Sequence, residues 1–198
     1  MVAEVAPRRV LEVGCGTGEF AERMLTELGV ELIAVDLSPR MVELTAARGV
    51  DARIGDVQAL TFEDESFDCV VAGWVLYHVE ALEQAILECR RVLRPGGTLV
   101  AGTLGMDHFR EVWELLGDPS RDQLSFSREN GLEALSPYFE HVEMRDAHGV
   151  AVFPDPEAMR TLVAVSITHA HLADRVPNFT EPFRAQTPHA VFVAKKVG

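Results

Sequence analysis

Apolar stretches alternate along the first half of the chain with segments in which apolar positions recur every three or four residues. The apolar stretches predict β-strands near residues 9–13, 31–35, 50–54, 67–73 and 97–103. The segments between most of them predict helices near 18–28, 38–48 and 80–93. This alternation is typical of a doubly wound, mostly parallel α/β sheet, which binds ligands at the carboxyl ends of its strands.

The pattern changes beyond Leu104. Periodicity there predicts helices at 106–116, 127–135 and 156–173, and strands at 141–152 and 189–196. Pro177, Pro182 and Pro188 predict a loop between the long helix and the last strand, placed as a flap at the pocket.

The first forty residues carry the most specific pattern. A strand at 9–13 runs into the turn Gly14-Cys15-Gly16-Thr17-Gly18, and the next strand ends on Asp36. This is the layout of a nucleotide-binding βαβ unit. Glycine allows positive φ and a close backbone approach to a ligand, and Asp36 can accept hydrogen bonds from both ribose hydroxyls.

The spacing of the glycines indicates which nucleotide is bound. A dinucleotide-binding turn would have its third glycine at position 19, which is Glu19 here. A carboxylate in the first helical turn repels a pyrophosphate, and no lysine or arginine lies between Gly14 and Gly18. The turn therefore favours a nucleoside without phosphates and disfavours an NAD-dependent reductase.

The pattern Glu12-x-Gly14-x-Gly16-x-Gly18 resembles motif I of the class I S-adenosylmethionine-dependent methyltransferases. The resemblance implies that Glu12 lies near the ammonium of the cofactor, and that the turn, with Cys15, lines the cofactor site.

Three further segments extend the resemblance. The segment 55–62 is similar to the adenine-binding segment, which implies that Asp56 accepts from the exocyclic amine and that the N–H of Val57 reaches the ring. Leu37 would supply an apolar face to adenine. The strand that ends at Gly73, with 74–79 after it, resembles the fourth strand and its opening onto the cofactor. The segment 94–100 resembles the turn into the fifth strand.

Four motifs in order are far more specific than one glycine motif. They span residues 9–103 and resemble the small type 11 or type 25 methyltransferases. The resemblance implies a Rossmann-like, mostly parallel seven-stranded sheet with an antiparallel last strand. It implies a single domain over 1–198, with a cofactor-binding half at 9–103 and a substrate-side insert and closing hairpin at 104–198.

Residues after the fourth strand are the candidates for chemistry. His78 is the leading candidate for a general base, and Tyr77 is a second candidate for steering the nucleophile. His78 could instead cap or pack the following helix. The ring of Trp74 could lie against the sulfonium or the adenine, or belong to the core.

Other side chains have simpler interpretations. Four aromatic residues fall in regions that form the substrate pocket in the resembling family, although their helical spacing also suits core packing: Phe109, Trp113, Phe126 and Phe153. His169 and His171 lie two apart, so a helix would point them to nearly opposite sides, and no metal site is predicted.

Composition narrows the class of protein. The 198 residues, 47% hydrophobic, suit one globular domain, and the three cysteines form no disulfide framework. A reducing cytoplasm is the expected compartment, with no membrane-spanning segment. The formal net charge of −13 disfavours nucleic acid as a partner.

The start of the chain departs from the resembling family, whose members commonly carry lid helices before the first strand. Here Met1–Arg8 precede it. Three interpretations remain at this point: an open site, a site covered by another segment or subunit, or a chain that has lost its N-terminus.

The sequence thus predicts a methyltransferase acting on an oxygen or nitrogen of a small, apolar molecule, and is compatible with a homodimer. An RNA or protein methyltransferase and a non-catalytic cofactor-binding protein are the alternatives.

Overall fold

A computed structural model describes residues 1–118, 124–166 and 168–197. The strands are β1 (Arg9–Val13), β2 (Glu31–Asp36), β3 (Asp51–Ile54), β4 (Phe67–Gly73), β5 (Leu93–Leu104), β6 (His141–Phe153) and β7 (Phe183–Lys195). The α-helices are α1 (Val2–Val5), α2 (Glu19–Leu28), α3 (Pro39–Ala46), α4 (Leu82–Val92), α5 (Arg110–Leu115), α6 (Gly131–Leu135) and α7 (Pro156–Ala164). Short 3-10 helices lie at Leu76–His78 and Ala170–Arg175.

All seven strands form one sheet in the order β3-β2-β1-β4-β5-β7-β6. The pairs from β3 to β5 are parallel, and β7 is antiparallel to both β5 and β6. Strand order reverses between β1 and β4, which is where an open α/β sheet leaves a crevice for ligands. The predicted fold class, with its antiparallel last strand, is confirmed.

The central strands β1, β2 and β4 are buried on both faces because their alternate side chains enter different clusters. Leu11 and Val70 belong to a cluster that packs against α4. Val10 and Val71 belong to a second cluster that packs against α2 and the N-terminal residues. Strands covered on both sides are nearly continuous in apolar residues, which is why their bounds were predictable.

A third cluster joins α5, α7 and the adjacent end of the β6–β7 hairpin. Phe153 is buried in this cluster, with Phe109 and Trp113 packed against it, and Phe126 is fully buried against Phe192. These aromatic residues therefore pack in the core, and Phe126 and Phe153 are the most buried of them.

The predicted helix 156–173 is wrong at its carboxyl end. The helix stops at Ala164, and a separate 3-10 helix begins at Ala170; residue 167 lies outside the described residues. Val163 and Val165 are β-branched and weaken the helix, and Ser166 accepts a hydrogen bond from the N–H of His169, which forms a turn instead.

The loop predicted around Pro188 is also wrong, because β7 begins at Phe183 and includes Pro188. The carbonyl of Pro188 accepts a hydrogen bond from the N–H of Gly105, which lies just beyond the end of β5 at Leu104. In a β-strand the nitrogen and the carbonyl of one residue face the same neighbour, so the nitrogen of Pro188 also points beyond the end of β5. The missing N–H therefore removes no bond of the sheet. Pro177 and Pro182 do lie outside the strand.

The remaining differences concern ends of elements. β5 begins at Leu93 rather than near 97, and α5 and α6 are shorter than the predicted helices 106–116 and 127–135. Before α6, Ser127 and Asn130 hydrogen-bond each other's backbone and form a turn where a helix was predicted. Within the described ranges, no helix has the length and apolarity needed to cross a membrane.

Candidate functional site

The glycine turn after β1 adopts a conformation that other residues would strain. Gly14 and Gly18 have φ angles of 70° and 79°. A Cβ at Gly14 would lie 2.4 Å from Val75, and a Cβ at Gly18 would lie 2.7 Å from the Cα of Thr45. These two glycines are therefore required by the packing of the turn against β4 and α3. By contrast, nothing lies within 4 Å of a Cβ built on Gly16, so that position faces open space.

Asp36 holds the turn in place. Its two carboxylate oxygens accept from the N–H of Gly16 and the N–H of Ser38, each at 2.9 Å. Each oxygen keeps a further lone pair for a ligand hydroxyl. Sequence reasoning assigned Asp36 to the ligand only, whereas the structure adds a role in joining the turn to the start of α3.

Glu12 is the most unusual charged residue of the site. Its side chain is only 3% exposed, and its Oε2 atom has no hydrogen-bond partner among the described residues. Burial, with the nearby charge of Asp36, raises the pKa of Glu12 to about 8. A buried carboxyl without a partner carries a free-energy cost that a ligand cation would relieve.

Cys15 lies within the turn, and Glu19 directly follows it. The hydroxyl of Thr45 donates to the carbonyl of Gly16 and lies 3.4 Å from the sulfur of Cys15, whose thiol pKa is raised by burial. Arg48 approaches Glu19 and bonds the carbonyl of Thr17. Sequence reasoning missed Arg48 because it follows α3 in the sequence, 29 positions after Glu19. The guanidinium of Arg48 offsets part of the charge of Glu19.

The predicted adenine-side residues lie at the carboxyl ends of β2 and β3. Leu37 is 66% exposed, which is unusual for leucine and suits contact with a ligand ring. Asp56 accepts from the backbone N–H and the side-chain amide of Gln58, and the side chain of Val57 is buried in the core. Of Val57, only the backbone is therefore suited to ligand contact.

The end of β4 is strained. Trp74 has a φ of 56°, in the left-handed region that bulky residues avoid, while its N–H continues the sheet by donating to Gly102. Its side chain is 45% exposed, so core packing does not explain the conformation. A Cβ on the preceding Gly73 would meet nothing within 4 Å.

Tyr77 and His78 occupy the 3-10 helix after β4, with ring centroids 4.2 Å apart. Tyr77 is partly buried and packs against the core, and burial raises its pKa. His78 is exposed, its imidazole has no hydrogen-bond partner in the described ranges, and partial burial lowers its pKa. His78 is thus neutral near pH 7 and has the chemistry of a weak base.

Two further histidines, which sequence reasoning missed, lie beside Trp74. The indole N–H of Trp74 donates to Nδ1 of His189 at 3.4 Å, and the rings of His189 and His108 are 5.0 Å apart. His189 lies on β7 and His108 follows β5. A lone histidine has no periodic signal. His189 was predicted as the first residue of the last strand, but nothing in the sequence indicated that Trp74 and His108 would lie beside it.

A cavity of about 490 Å³ lies between α2, the N-terminal residues and one face of the sheet. Val71, Val100 and Val191 supply its apolar lining from the sheet, and Met24 does so from α2. Trp74 lines it together with Gly73, so the cavity reaches the carboxyl end of β4.

No group of three or more His, Cys, Asp or Glu side chains arranged to hold a metal ion occurs in the described part of the chain. His169 instead stacks on Trp113, with ring centroids 4.1 Å apart.

Sequence comparison finds a family that matches the first half of the chain. Residues 11–101 match a family described as a methyltransferase domain. The chain is 30% identical over 168 residues to malonyl-[acyl-carrier protein] O-methyltransferase of Yersinia pestis, covering 82% of this chain and 62% of that protein. It is 39% identical over 108 residues to ubiquinone biosynthesis O-methyltransferase of Xanthomonas oryzae, covering 51% and 45%. The chain thus spans only part of the length of these relatives.

Comparison with solved structures supports the fold. A crystal structure of a proposed methyltransferase from Bacillus halodurans superposes with a TM-score of 0.71 at 19% identity, covering 100% of this chain and 99% of that one. This similarity shows the architecture, whereas the site residues depend on the contacts described above.

Proposed function

Because the chain belongs to the class I S-adenosylmethionine-dependent methyltransferases of the type 11 family, we propose that it transfers a methyl group from S-adenosylmethionine to an oxygen or nitrogen of a small molecule. The transfer is a direct in-line displacement. The whole protein's substrate and its cellular compartment, proposed to be the cytoplasm, form part of this proposal.

The buried, unpartnered carboxyl of Glu12 carries the proposal. The ammonium of S-adenosylmethionine would give this carboxyl the counter-charge that it lacks. A pyrophosphate at the same turn would instead place negative charge beside Glu12 and Asp36. The residues present therefore fit the methyl donor and oppose a dinucleotide.

The rest of the cofactor site follows from the turn outward. Gly14, Cys15, Gly16 and Gly18 would approach the amino-acid part through their backbone, and Asp36 would accept from the ribose hydroxyls through its remaining lone pairs. On the adenine side, Leu37 would cover one ring face, with Asp56 and the backbone of Val57 at the ring edge. Gly73 and Trp74 would border the sulfonium.

S-adenosylmethionine, when bound, supplies a methyl carbon that is already electrophilic because it is attached to a sulfonium. The protein then has to orient the acceptor, exclude water and accept a proton where the acceptor has one to lose. We assign the proton-accepting role to His78, which is neutral and free of other hydrogen bonds in the described ranges. Tyr77, beside it, would steer the nucleophile.

The acceptor is proposed to be a small molecule with an apolar body. The cavity beside Trp74 is lined chiefly by aliphatic side chains and has the size of a small-ligand site. One relative is named for O-methylation of malonyl-[acyl-carrier protein] and the other for O-methylation in ubiquinone biosynthesis, and the second name suits an acceptor of this kind. The formal net charge of −13 argues against a nucleic acid as acceptor.

Calorimetric titration tests the cofactor. We expect micromolar binding of S-adenosylmethionine and of its demethylated product, and no binding of NAD under the same conditions. A preference for NAD would overturn the assignment. If the methyl donor binds but no oxygen or nitrogen acceptor is methylated, the protein is a cofactor-binding protein without this activity.

A further inference from the structure

Trp74, His108 and His189 come from three distant segments and meet at the carboxyl edge of β4 and β5. Trp74 and His189 are 115 positions apart in the sequence, yet their side chains are joined by a hydrogen bond of 3.4 Å. Their rings are nearly perpendicular, at 85°, and the ring of His108 lies 5.0 Å from that of His189. Tertiary packing therefore builds a defined cluster around Trp74, the member of the cluster that also lines the cavity on the sheet.

The hydrogen bond fixes the tautomer of His189. An indole N–H can only donate, so Nδ1 of His189 must accept and a neutral His189 carries its proton on Nε2. Burial lowers the pKa of His189, and burial together with His189 lowers the pKa of His108 to about 4. Near pH 7 both rings are neutral, and His189 presents an Nε2–H donor rather than a lone pair.

Core packing does not account for this arrangement. Trp74 adopts a left-handed φ of 56° while leaving 45% of its side chain exposed. Strain of this kind costs free energy and tends to persist where it serves a site. Trp74 is also linked to the proposed cofactor turn through the next residue, because a Cβ built on Gly14 would lie 2.4 Å from the side chain of Val75.

We propose that His189 binds one oxygen of a carboxylate acceptor through Nε2–H, and that Trp74 and His108 position the imidazole ring of His189. This inference rests on the proposed methyl transfer and names the acceptor class. A lone-pair oxygen suits the donor, whereas an ammonium offers only N–H groups and a neutral amine has a single lone pair, which must attack the methyl carbon.

A carboxylate acceptor can also be methylated without a general base. One oxygen is held by His189, and the other uses a lone pair to form the bond to the methyl carbon, while the carbon–sulfur bond breaks and its electron pair stays on sulfur. The products are a methyl ester and a neutral thioether. No proton is released from the acceptor, so the neutral histidines need only donate and shape the site.

Shape-matched probes test the acceptor class. We expect the wild-type protein with S-adenosylmethionine to methylate cyclohexanecarboxylate, and to leave cyclohexanemethanol and cyclohexylamine unmethylated, as followed by mass spectrometry. Methylation of the amine or the alcohol in preference to the carboxylate would overturn the proposal.

Two substitutions of His189 separate the effect of its Nε2–H donor from the effect of its hydrogen bond with Trp74. His189→Asn keeps an acceptor for Trp74 near the Nδ1 position but lacks a donor at Nε2, and we expect turnover to fall about 100-fold. His189→Gln places an amide N–H near Nε2, and we expect it to stay within about tenfold of wild type. His141→Gln, at the exposed far end of the same hairpin, is the matched control. Equal turnover for His189→Asn and wild type would contradict the donor role.

Binding of the probe gives a readout that does not depend on turnover. In a Trp113→Phe background Trp74 is the single tryptophan, so its fluorescence reports on the cluster. With the demethylated cofactor bound, we expect saturable quenching by cyclohexanecarboxylate, about tenfold weaker in His189→Asn, and none by cyclohexylamine. Absence of saturable carboxylate binding would overturn the inference. Calorimetry of the demethylated cofactor, expected to be unchanged by either substitution, shows separately whether the proposed function itself fails.

Discussion

The two sides of the candidate site differ in construction and in charge. The glycine-turn side, with Glu12 and Asp36, is built from residues close in sequence and lacks a counter-charge for a buried carboxyl. The side formed by Trp74, His108 and His189 is built from distant segments and remains neutral. The first is suited to a positively charged ligand and the second to donating a hydrogen bond. The proposed cofactor side can therefore be predicted from local motifs, and the proposed acceptor side cannot.

The same contrast applies to His78 and His189, the two histidines to which roles in methyl transfer are proposed. His189 is held by Trp74 and has its acceptor nitrogen occupied, whereas His78 is exposed and without a ring hydrogen bond in the described part of the chain. Of these two residues, His78 is the one whose ring nitrogens are not engaged by Trp74.

The largest expected effect is that of His78→Ala on acceptors that must lose a proton. If a phenol probe is methylated by the wild type, we expect its turnover to fall about 10²- to 10⁴-fold, because the base is removed. Methylation of cyclohexanecarboxylate and the affinity for the cofactor should stay within about twofold. Rate measurements with the two probes check this. Phenol turnover that equals the wild type at every pH would show that His78 is structural.

Asp36→Ala should weaken cofactor binding by about 1.5–3 kcal/mol, or roughly 10- to 150-fold, because two charge-assisted hydrogen bonds are lost. Asp56→Ala is the comparison variant and should weaken cofactor binding less than Asp36→Ala, since backbone contacts from Val57 would persist. Calorimetry measures both, and thermal melts identify any loosening of the turn caused by losing the bonds to Gly16 and Ser38. Undiminished affinity in a folded Asp36→Ala protein would remove Asp36 from the ribose site.

The smallest expected effect is in proton release from Glu12. The pKa of this carboxyl is about 8 in the free protein, above its ordinary value of 4.5, so the folded state holds its proton at pH 7. A bound ammonium favours the ionised form and lowers that pKa, so binding near pH 7 should release about one proton. Calorimetry in buffers of different ionisation enthalpy measures this release.

Glu12→Gln is the control, and should abolish the proton release while weakening binding by about tenfold. The unliganded protein provides a second check on the same residue. Because the folded pKa is raised, the contribution of Glu12 to the free energy of unfolding is present below pH 4.5 and declines as the pH rises to about 8. Glu12→Gln should remove that decline. Binding without any change in bound protons would contradict the proposed contact with the ammonium.

The sequence by itself determined the strands β1 and β4 to the residue, the doubly wound fold, and the glycine turn with Glu12, Asp36 and Asp56. These features could be predicted because their signals are local: apolar runs for buried strands, and glycines where φ must be positive. The roles of these residues in binding remain predictions.

Only the tertiary structure decided the acceptor side. The start of β7, the position of Pro188 and the hydrogen bond between Trp74 and His189 depend on where β5 ends and on which distant strand pairs with it. The missing partner of Glu12 is also a tertiary property, since burial and not residue type raises its pKa. Local patterns encode backbone conformation, whereas the environment of a side chain depends on segments that meet only after folding.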